Sequence, residues 1–373
     1  MTTPDPIRVL FVTPRFWPYT GGVETHVYQV ARRLASAGVE VMVLTTDLSG
    51  RLPVHEQRER VTIRRARAWP AHRDYYFAPG IYRAITRGDW DVVHVQSYHT
   101  LVAPLAMFAA LRARLPYLVT FHGGGHSSQV RNALRGAQRA MLRPLLARAE
   151  RLIAVAQFEV EFLAARLRLP RQRFVVIPNG SDLPPAARPA AVVNGTLIAS
   201  VGRLERYKGH HRLIEALPKV LEQRPDAYVW IAGAGPYEPA LRRLADRLGV
   251  ADRVEIRAVP AEDRQAMASA LSSAALVVLL SEYETHPIAV LEAMRLKRPV
   301  LVARTSGLTE LAERGLARAI PIDSTTEQVA LAVLDQLRRP LVPANVDLPS
   351  WDDCVSDLLT LYRSILRERR CAS

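Results

Sequence analysis

The pattern that most restricts how this chain of 373 residues can fold is an alternation, run through twice, of short apolar segments with stretches of helical period. The first series is IRVLFVT (7–13), VEVMVLTT (39–46), DVVHVQ (91–96), PYLVTF (116–121), RLIAVA (151–156) and RFVVIP (173–178). Runs this short and this continuously apolar are strands buried on both faces, and helix-length spacers between them require parallel crossovers. At NGSDLPPAARPAAVVNG (179–195) proline and small residues replace the pattern, which restarts with GTLIASVG, AYVWIAG, RVEIRA, AALVVLL, PVLVA and ARAIPI. The expectation is an α/β chain of two doubly wound, Rossmann-like domains with a cleft between them. They span residues 1–180 and 196–340, with a linker at 181–195. A second proline-rich stretch (338–350) leads to WDDCVSDLLTLYRSILRER, whose apolar spacing predicts an amphipathic C-terminal helix over 351–370.

Charge separates the halves. Residues 1–190 hold 26 Arg against 13 Asp plus Glu, a net of +13, which leaves +1 of the total +14 for residues 191–373. Only three lysines occur, Lys208, Lys219 and Lys297. In a chain that otherwise uses arginine, a lysine marks a position that calls for a compact ammonium. The basic excess does not indicate nucleic acid as a partner, because the interleaved aromatics of a single-strand platform are missing. Cys354 and Cys371 have neither metal-ligand spacing nor a disulfide framework and read as free thiols. The longest apolar stretch, 101–111, is too short to cross a bilayer and contains a proline. With no signal-peptide pattern at the start, the expectation is a cytoplasmic protein, peripheral at the inner face of the membrane at most.

Three segments carry chemistry. SEYETHPIAVLEAM (281–294) sets Glu284 and Glu292 eight positions apart with Pro287 between them. Proline favours the first turn of a helix and biases its predecessor away from helical geometry, so Glu284 falls in a loop after a buried strand while Glu292 rides on the helix. That strand edge is where open α/β sheets bind ligands. TPRFWPYTGGVETH places Gly21 and Gly22 between a strand and a helix, where backbone amides can approach an anion. SVGRLERYKGHH repeats the logic in the second domain, adding a forked cation, Arg203, and a point charge, Lys208, suited to a pyrophosphate.

Taken in order, GGVETH, FHGGG, IPNGSD, VGRLERYKG, GAGP and EYETHPIAVLEAM resemble family 4 of the retaining glycosyltransferases, which have the two-domain GT-B fold and use nucleotide-activated sugars. The resemblance implies hexosyl transfer with retention from a UDP- or GDP-linked sugar to an acceptor, without cofactor or metal. No D-x-D motif stands at the catalytic positions, and Asp352 and Asp353 read as helix caps. It further implies that Arg203 and Lys208 clamp the donor diphosphate, Gly21 and Gly22 close on it, Glu284 faces the sugar and Glu292 the ribose. His122 would lie beside the transferred sugar; the plainer alternative is a core histidine capping a strand end. A zinc pair of His122 with His126 is disfavoured by the three glycines between them. Gly235, in GAGP, and Pro287 complete the implied donor site, and the helix start of TSGLTELAERG, with Glu310, would offer further amides.

The chain departs from the family pattern where Thr285, His286 and Pro287 follow Glu284, and where Lys297 and Arg298 stand in place of a common glycine. A nucleotide-sugar epimerase of the same architecture remains the alternative. In such a fold the first domain supplies the acceptor side. Arg131, Arg135, Arg139 and Arg143 recur every four residues there, a stripe expected to meet an anionic membrane or a lipid-phosphate acceptor if the segment is helical; Pro144 interrupts the pattern and is a point where the helix could end.

Overall fold

The computed structural model describes residues 6–19, 21–70, 76–123, 129–186, 195–260 and 263–372, apart from the side chains of 129–134 and 372. The chain divides into two compact units. One is built on residues up to Gly123, on Ala133–Gly180 and on the segment from Pro349; the other is built on Ser181–Leu348.

The first unit holds β1 (Arg8–Val12), β2 (Glu40–Asp47), β3 (His55–Arg58), β4 (Val61–Arg67), β5 (Val92–Gln96), β6 (Tyr117–Thr120), β7 (Arg151–Ala154) and β8 (Phe174–Val176). They form one sheet in the order β3-β4-β2-β1-β5-β6-β7-β8, parallel except for the β3–β4 pair. Six of these strands are the apolar runs of the sequence; β3 and β4 are additions. The segment VTIRRAR of β4 carries too many arginines to read as a buried strand. Arg65 is nevertheless only 4% exposed, because its guanidinium donates to Glu56 at 2.7 Å, to the Trp17 carbonyl at 2.8 Å and to the Pro53 carbonyl at 2.9 Å. A buried charge so paired is tolerable where a bare one is not.

The second unit holds β9 (Thr196–Val201), β10 (Ala227–Ala232), β11 (Val254–Ile256), β12 (Leu276–Leu279), β13 (Val300–Ala303) and β14 (Arg318–Ile320). Their order is β11-β10-β9-β12-β13-β14, parallel throughout. In both sheets the strand order reverses at the first strand: β1 lies between β2 and β5, and β9 between β10 and β12. At such a reversal the two connections leave toward opposite faces and open a crevice at the carboxyl ends of the central strands. In the second unit that crevice receives the segment after β9, Gly202–Lys208, and the segment after β12, Leu280–Glu284.

The C-terminal helix, Trp351–Ala372, belongs to the first unit. Trp351 and Tyr362 are fully buried, Tyr362 Oη lies 2.6 Å from His94 Nδ1, and Arg33 on the helix Gly22–Ser36 donates to Asp352 at 2.9 Å. Burying two aromatic rings of this size contributes several kcal/mol, ~2–3 each. Gly180 makes the contact possible, since a Cβ there would stand 2.3 Å from the Trp351 nitrogen.

Pro144 interrupts the arginine pattern without ending its helix. The helix runs Gln129–Leu146 with Pro144 inside it. Leu142 and Leu146 are buried on either side of the proline, and the Ala147 amide still bonds the Arg143 carbonyl at 2.8 Å. Tertiary packing therefore holds the last turn despite one missing donor. Arg131 lies among the undescribed side chains.

Lys297 occupies the place where a glycine is common, and its φ of 54° is left-handed. It closes the helix Ile288–Arg295: its amide bonds the Met294 carbonyl and the Arg298 amide bonds the Ala293 carbonyl, both at 2.9 Å. That double closure suits glycine best. Lys297→Gly, at an exposed side chain, is expected to raise stability by up to ~1 kcal/mol, read as a higher Tm; a lower Tm would show that the lysine side chain has a role of its own.

Candidate functional site

In the second unit, two loops at the switch point are locked together backbone first. Gly209, at φ 75°, caps the helix His210–Leu221, and a Cβ on it would fall 2.1 Å from the Leu280 carbonyl oxygen at the end of β12. Only glycine lets the β9 loop lie so close to the β12 loop. The contact brings Lys208 Nζ to 2.5 Å from Glu284 Oε1, with both side chains largely buried. Ser281 Oγ donates to the same carboxylate oxygen at 2.7 Å. Burial pulls the Lys208 pKa down, but the Glu284 carboxylate and Tyr207 outweigh it and hold the ammonium above its ordinary value. Lys208 is therefore a fixed cation at neutral pH.

The Glu284 loop is clamped from its other side by the helix Ser306–Glu313. Ser306 Oγ accepts from the Glu284 amide at 2.8 Å, the Gly307 amide donates to the Glu284 carbonyl at 2.9 Å, and Thr305 Oγ1 donates to the Ser281 carbonyl at 2.8 Å. The start of TSGLTELAERG thus acts on the site by positioning the loop, while Glu310, on the same helix, is half-buried. Arg203 is half-exposed and donates to the Tyr207 hydroxyl at 3.0 Å. Gly235 belongs to the same assembly. The Leu204 amide bonds the Ala234 carbonyl at 3.0 Å, and a Cβ on Gly235 would stand 2.5 Å from the Leu204 oxygen, so the GAGP turn lies directly against the Arg203–Lys208 loop.

Glu292 is held apart from Glu284. Pro287 caps the helix Ile288–Arg295, and Glu292 points from that helix into an ion pair with Arg264. Burial raises the Glu292 carboxyl to about 7, against the pull of Arg264 and with Asp182 adding to the rise. The sequence separates the two glutamates by loop and helix, and the structure gives each a different cation.

Sequence reasoning missed Arg264, which carries no motif and cannot be told from the chain's many other arginines. It also missed His210. That ring is 1% exposed and bridges Ser200 Oγ (2.9 Å) and the Arg203 carbonyl (3.3 Å), fixing the shape of the cationic loop. The signal was a histidine directly after K-G at a helix start.

Gly21, Gly22 and His122 lie in the first unit. Gly21 caps the helix Gly22–Ser36 in extended conformation, and the Glu24 carboxylate sits so near that a Cβ on Gly21 would be 2.4 Å from Glu24 Oε2. The helix start offered to phosphate by the sequence thus already faces an acidic side chain of its own first turn. His122 follows β6; its Nε2 lies 2.7 Å from Gln96 Oε1 at the end of β5, and its ring meets the His26 ring edge-on at 4.7 Å. Burial, with His26, His94 and His99 adding, pushes His122 well below its ordinary pKa. It is a neutral hydrogen-bonding ring at neutral pH. Glu159, another residue the sequence did not flag, accepts from the Gly123 amide at 2.8 Å and the Val155 amide at 3.0 Å, and so anchors the start of the HGGG segment. His126 lies outside the described residues. Among the described residues no group of three or more His, Cys, Asp or Glu side chains could hold a metal ion.

Two family models match this arrangement almost end to end: Glycosyltransferase Family 4 over residues 20–184 and Glycosyl transferases group 1 over residues 187–343. The chain belongs to glycosyltransferase family 4, with the two Rossmann-like domains of the GT-B fold, and is a hexosyltransferase. It is 29% identical to the D-inositol 3-phosphate glycosyltransferase of Mycolicibacterium smegmatis, over 99% of this chain and 93% of that protein. It is also 29% identical to the GDP-mannose:cellobiosyl-diphosphopolyprenol alpha-mannosyltransferase of Xanthomonas oryzae pv. oryzae, over 96% of this chain and 97% of that one. The structure of Anabaena HepE in complex with UDP and glucose superposes with a TM-score of 0.75 at 18% identity, covering 96% and 100% of the two chains. Transferases among the relatives favour group transfer over the epimerase alternative.

The buried titratable groups give the fold a directional response to acid. Burial lowers His26, His210 and His211 to about 4 and His94 to about 3, and His122 is lowered as well. Each depressed ring contributes stability that is whole above the unfolded value near 6.5 and is lost as pH falls toward its folded value, up to ~3 kcal/mol for a fully buried ring. Burial raises Glu159 and Glu292 to about 7. Raised carboxyls act in the opposite sense, their contribution growing as pH falls from about 7 toward the unfolded carboxyl range. Five rings oppose two carboxyls, so Tm is expected to fall between about pH 6.5 and pH 4.5. A flat or rising Tm over that window would contradict the neutral buried state of the rings.

Proposed function

We propose that the protein transfers a hexosyl group from a nucleoside diphosphate sugar, UDP- or GDP-linked, to a lipid or lipid-phosphate acceptor, with retention and without a metal ion. The observation that carries this reading is the Lys208–Glu284 pair at the switch point of the second sheet. A fixed ammonium there, with the Arg203 fork beside it, supplies the positive charge that a departing diphosphate requires. Glu284 takes the sugar side and Glu292 the ribose side. The GDP-mannose and UDP in the names of similar proteins support a nucleotide-linked donor.

In the transfer, the bond from the anomeric carbon to the diphosphate oxygen breaks while a bond to the acceptor oxygen forms on the same face. The acceptor's proton passes to the leaving diphosphate, so no protein nucleophile is required. His122, neutral and held by Gln96, offers a hydrogen bond near the sugar rather than a proton. The inositol 3-phosphate and diphosphopolyprenol in the relatives' names both carry phosphate. The arginine-rich first half fits an acceptor of that kind and a peripheral contact with an anionic membrane. No helix among the described residues is long and apolar enough to cross a membrane.

A panel of UDP-, GDP- and ADP-sugars, assayed for ligand-dependent stabilisation and nucleotide release with a chelator present, tests the reading. Binding of one UDP- or GDP-sugar without metal is expected; absence of any response across the panel would sink it. Lys208→Ala is expected to lower kcat/KM by ~10² or more, and Lys208→Arg to recover only part, because a planar fork does not occupy the same point. Unchanged turnover in Lys208→Ala would remove the lysine from the reaction. Glu292→Ala is expected to weaken UDP and GDP binding, whichever sugar is attached; unaltered affinity would contradict the ribose assignment.

A further inference from the structure

The arginine stripe of the first unit does not simply face solvent. Arg139 and Arg143, on the helix Gln129–Leu146, line a cavity of about 300 Å³ together with Arg166 and Arg168 at the end of the helix Gln157–Leu167. Gly136 and Ala140 form part of its wall and leave it roomy. Two contacts set the geometry. Arg143 Nη2 donates to the Arg168 carbonyl at 3.3 Å, tying the two helices, and the Arg166 guanidinium lies 4.4 Å from the Phe162 ring centroid. Arg168 ends its helix in left-handed conformation, φ 52°, which turns the chain at the cavity rim. Among the described residues no carboxylate pairs with any of the four arginines, and none lines the cavity.

Four arginines around one cavity, with no carboxylate in its lining, make a positive surface that a polyanion relieves better than a single carboxylate. Planar forks pair two hydrogen bonds at a time with phosphate oxygens. The cavity volume suits one or two phosphate groups with their attachment. Its place is also informative. Both helices follow strands of a parallel sheet, β6 and β7, so their last turns lie at the amino ends of the strands. His122 leaves the carboxyl end of β6, the opposite edge of the same sheet.

We propose that this cavity is a phosphate-binding site separate from the sugar-transfer site, taking a phosphomonoester or diphosphate group. The phosphate belongs either to an anionic lipid headgroup or to a free phosphate compound. The lipid arm gives the membrane contact proposed above a location; the free-phosphate arm does not rest on it.

The test uses the full chain carrying Lys208→Ala, so that loss of the donor-site cation separates the two sites. Isothermal titration with inorganic pyrophosphate forms one arm, and co-sedimentation with vesicles of phosphatidylcholine alone or with phosphatidic acid, a phosphomonoester lipid, forms the other. Binding in either arm that is weakened tenfold or more by Arg166→Gln with Arg168→Gln supports the site. Pyrophosphate binding alone assigns it to a free phosphate, and selective binding to the anionic vesicles assigns it to a lipid headgroup. Both substituted side chains are exposed, so the fold should persist, and Arg143→Gln gives an independent second variant that should weaken binding in the same direction. No binding in either arm, or variants that bind as tightly as their parent, would overturn the proposal. Neither outcome bears on donor binding by the chain with Lys208 intact.

Discussion

Everything specific in the second unit turns on one contact, the ammonium of Lys208 against the carboxylate of Glu284. Its partners come from loops that follow two adjacent central strands, β9 and β12, and are 76 residues apart in the chain. The pair forms only if both loops have the right backbone. Gly209 supplies the close approach, His210 the loop shape, and Ser306 with Gly307 the clamp from behind. Removing one member of so buried a pair typically costs ~3–5 kcal/mol, because the other charge is left unpaired. The surrounding hydrogen bonds hold a charge in place at the sheet edge, where ligand phosphates bind in folds of this kind.

Both units bury paired charges and neutral rings. The second unit pairs Lys208 with Glu284 and Arg264 with Glu292 and buries the His210 ring. The first pairs Arg65 with Glu56 and buries two further rings: His94 spans Tyr362 and Thr120 at 2.6 Å each, and His26 reaches Asn179 at 2.8 Å. The His94 bond fastens the C-terminal helix to the sheet, and the His26 bond fastens Asn179 to the helix Gly22–Ser36. The chain leaves the first unit, traverses the second and returns, so the last helix completes a core begun at residue 8.

Much of this was legible in the sequence. All twelve apolar runs are strands, because a strand buried on both faces admits little but apolar residues. Lys208 stood out because lysine is so rare in this chain, and the loop and helix positions of Glu284 and Glu292 followed from Pro287. What the sequence hid was tertiary. β4 escaped notice because its arginines find partners remote in sequence, such as the Trp17 carbonyl. Arg264, the partner of Glu292, is indistinguishable from other arginines until the helices are packed. The stripe through Arg139 and Arg143 was visible as a period, but Arg166 and Arg168 join it only when two helix ends meet. Pro144 left the helix end open in the sequence, and its local preference yielded to the burial of Leu142 and Leu146.

The central claim is that Glu284 holds Lys208 ready for phosphate, and a double-variant cycle tests it most directly. UDP and GDP would be titrated into the wild-type chain, Lys208→Ala, Glu284→Gln and the combined variant, with a chelator throughout. Neutralising Glu284 frees the ammonium from a competing anion, so Glu284→Gln is expected to bind the preferred diphosphate at least as tightly as wild type. Lys208→Ala and the combined variant are expected to lose ~10-fold or more, and by the same factor, since each lacks the cation. If Lys208→Ala binds as tightly as wild type, or Glu284→Gln loses as much as Lys208→Ala, the pair is a structural brace and the donor phosphates are held elsewhere.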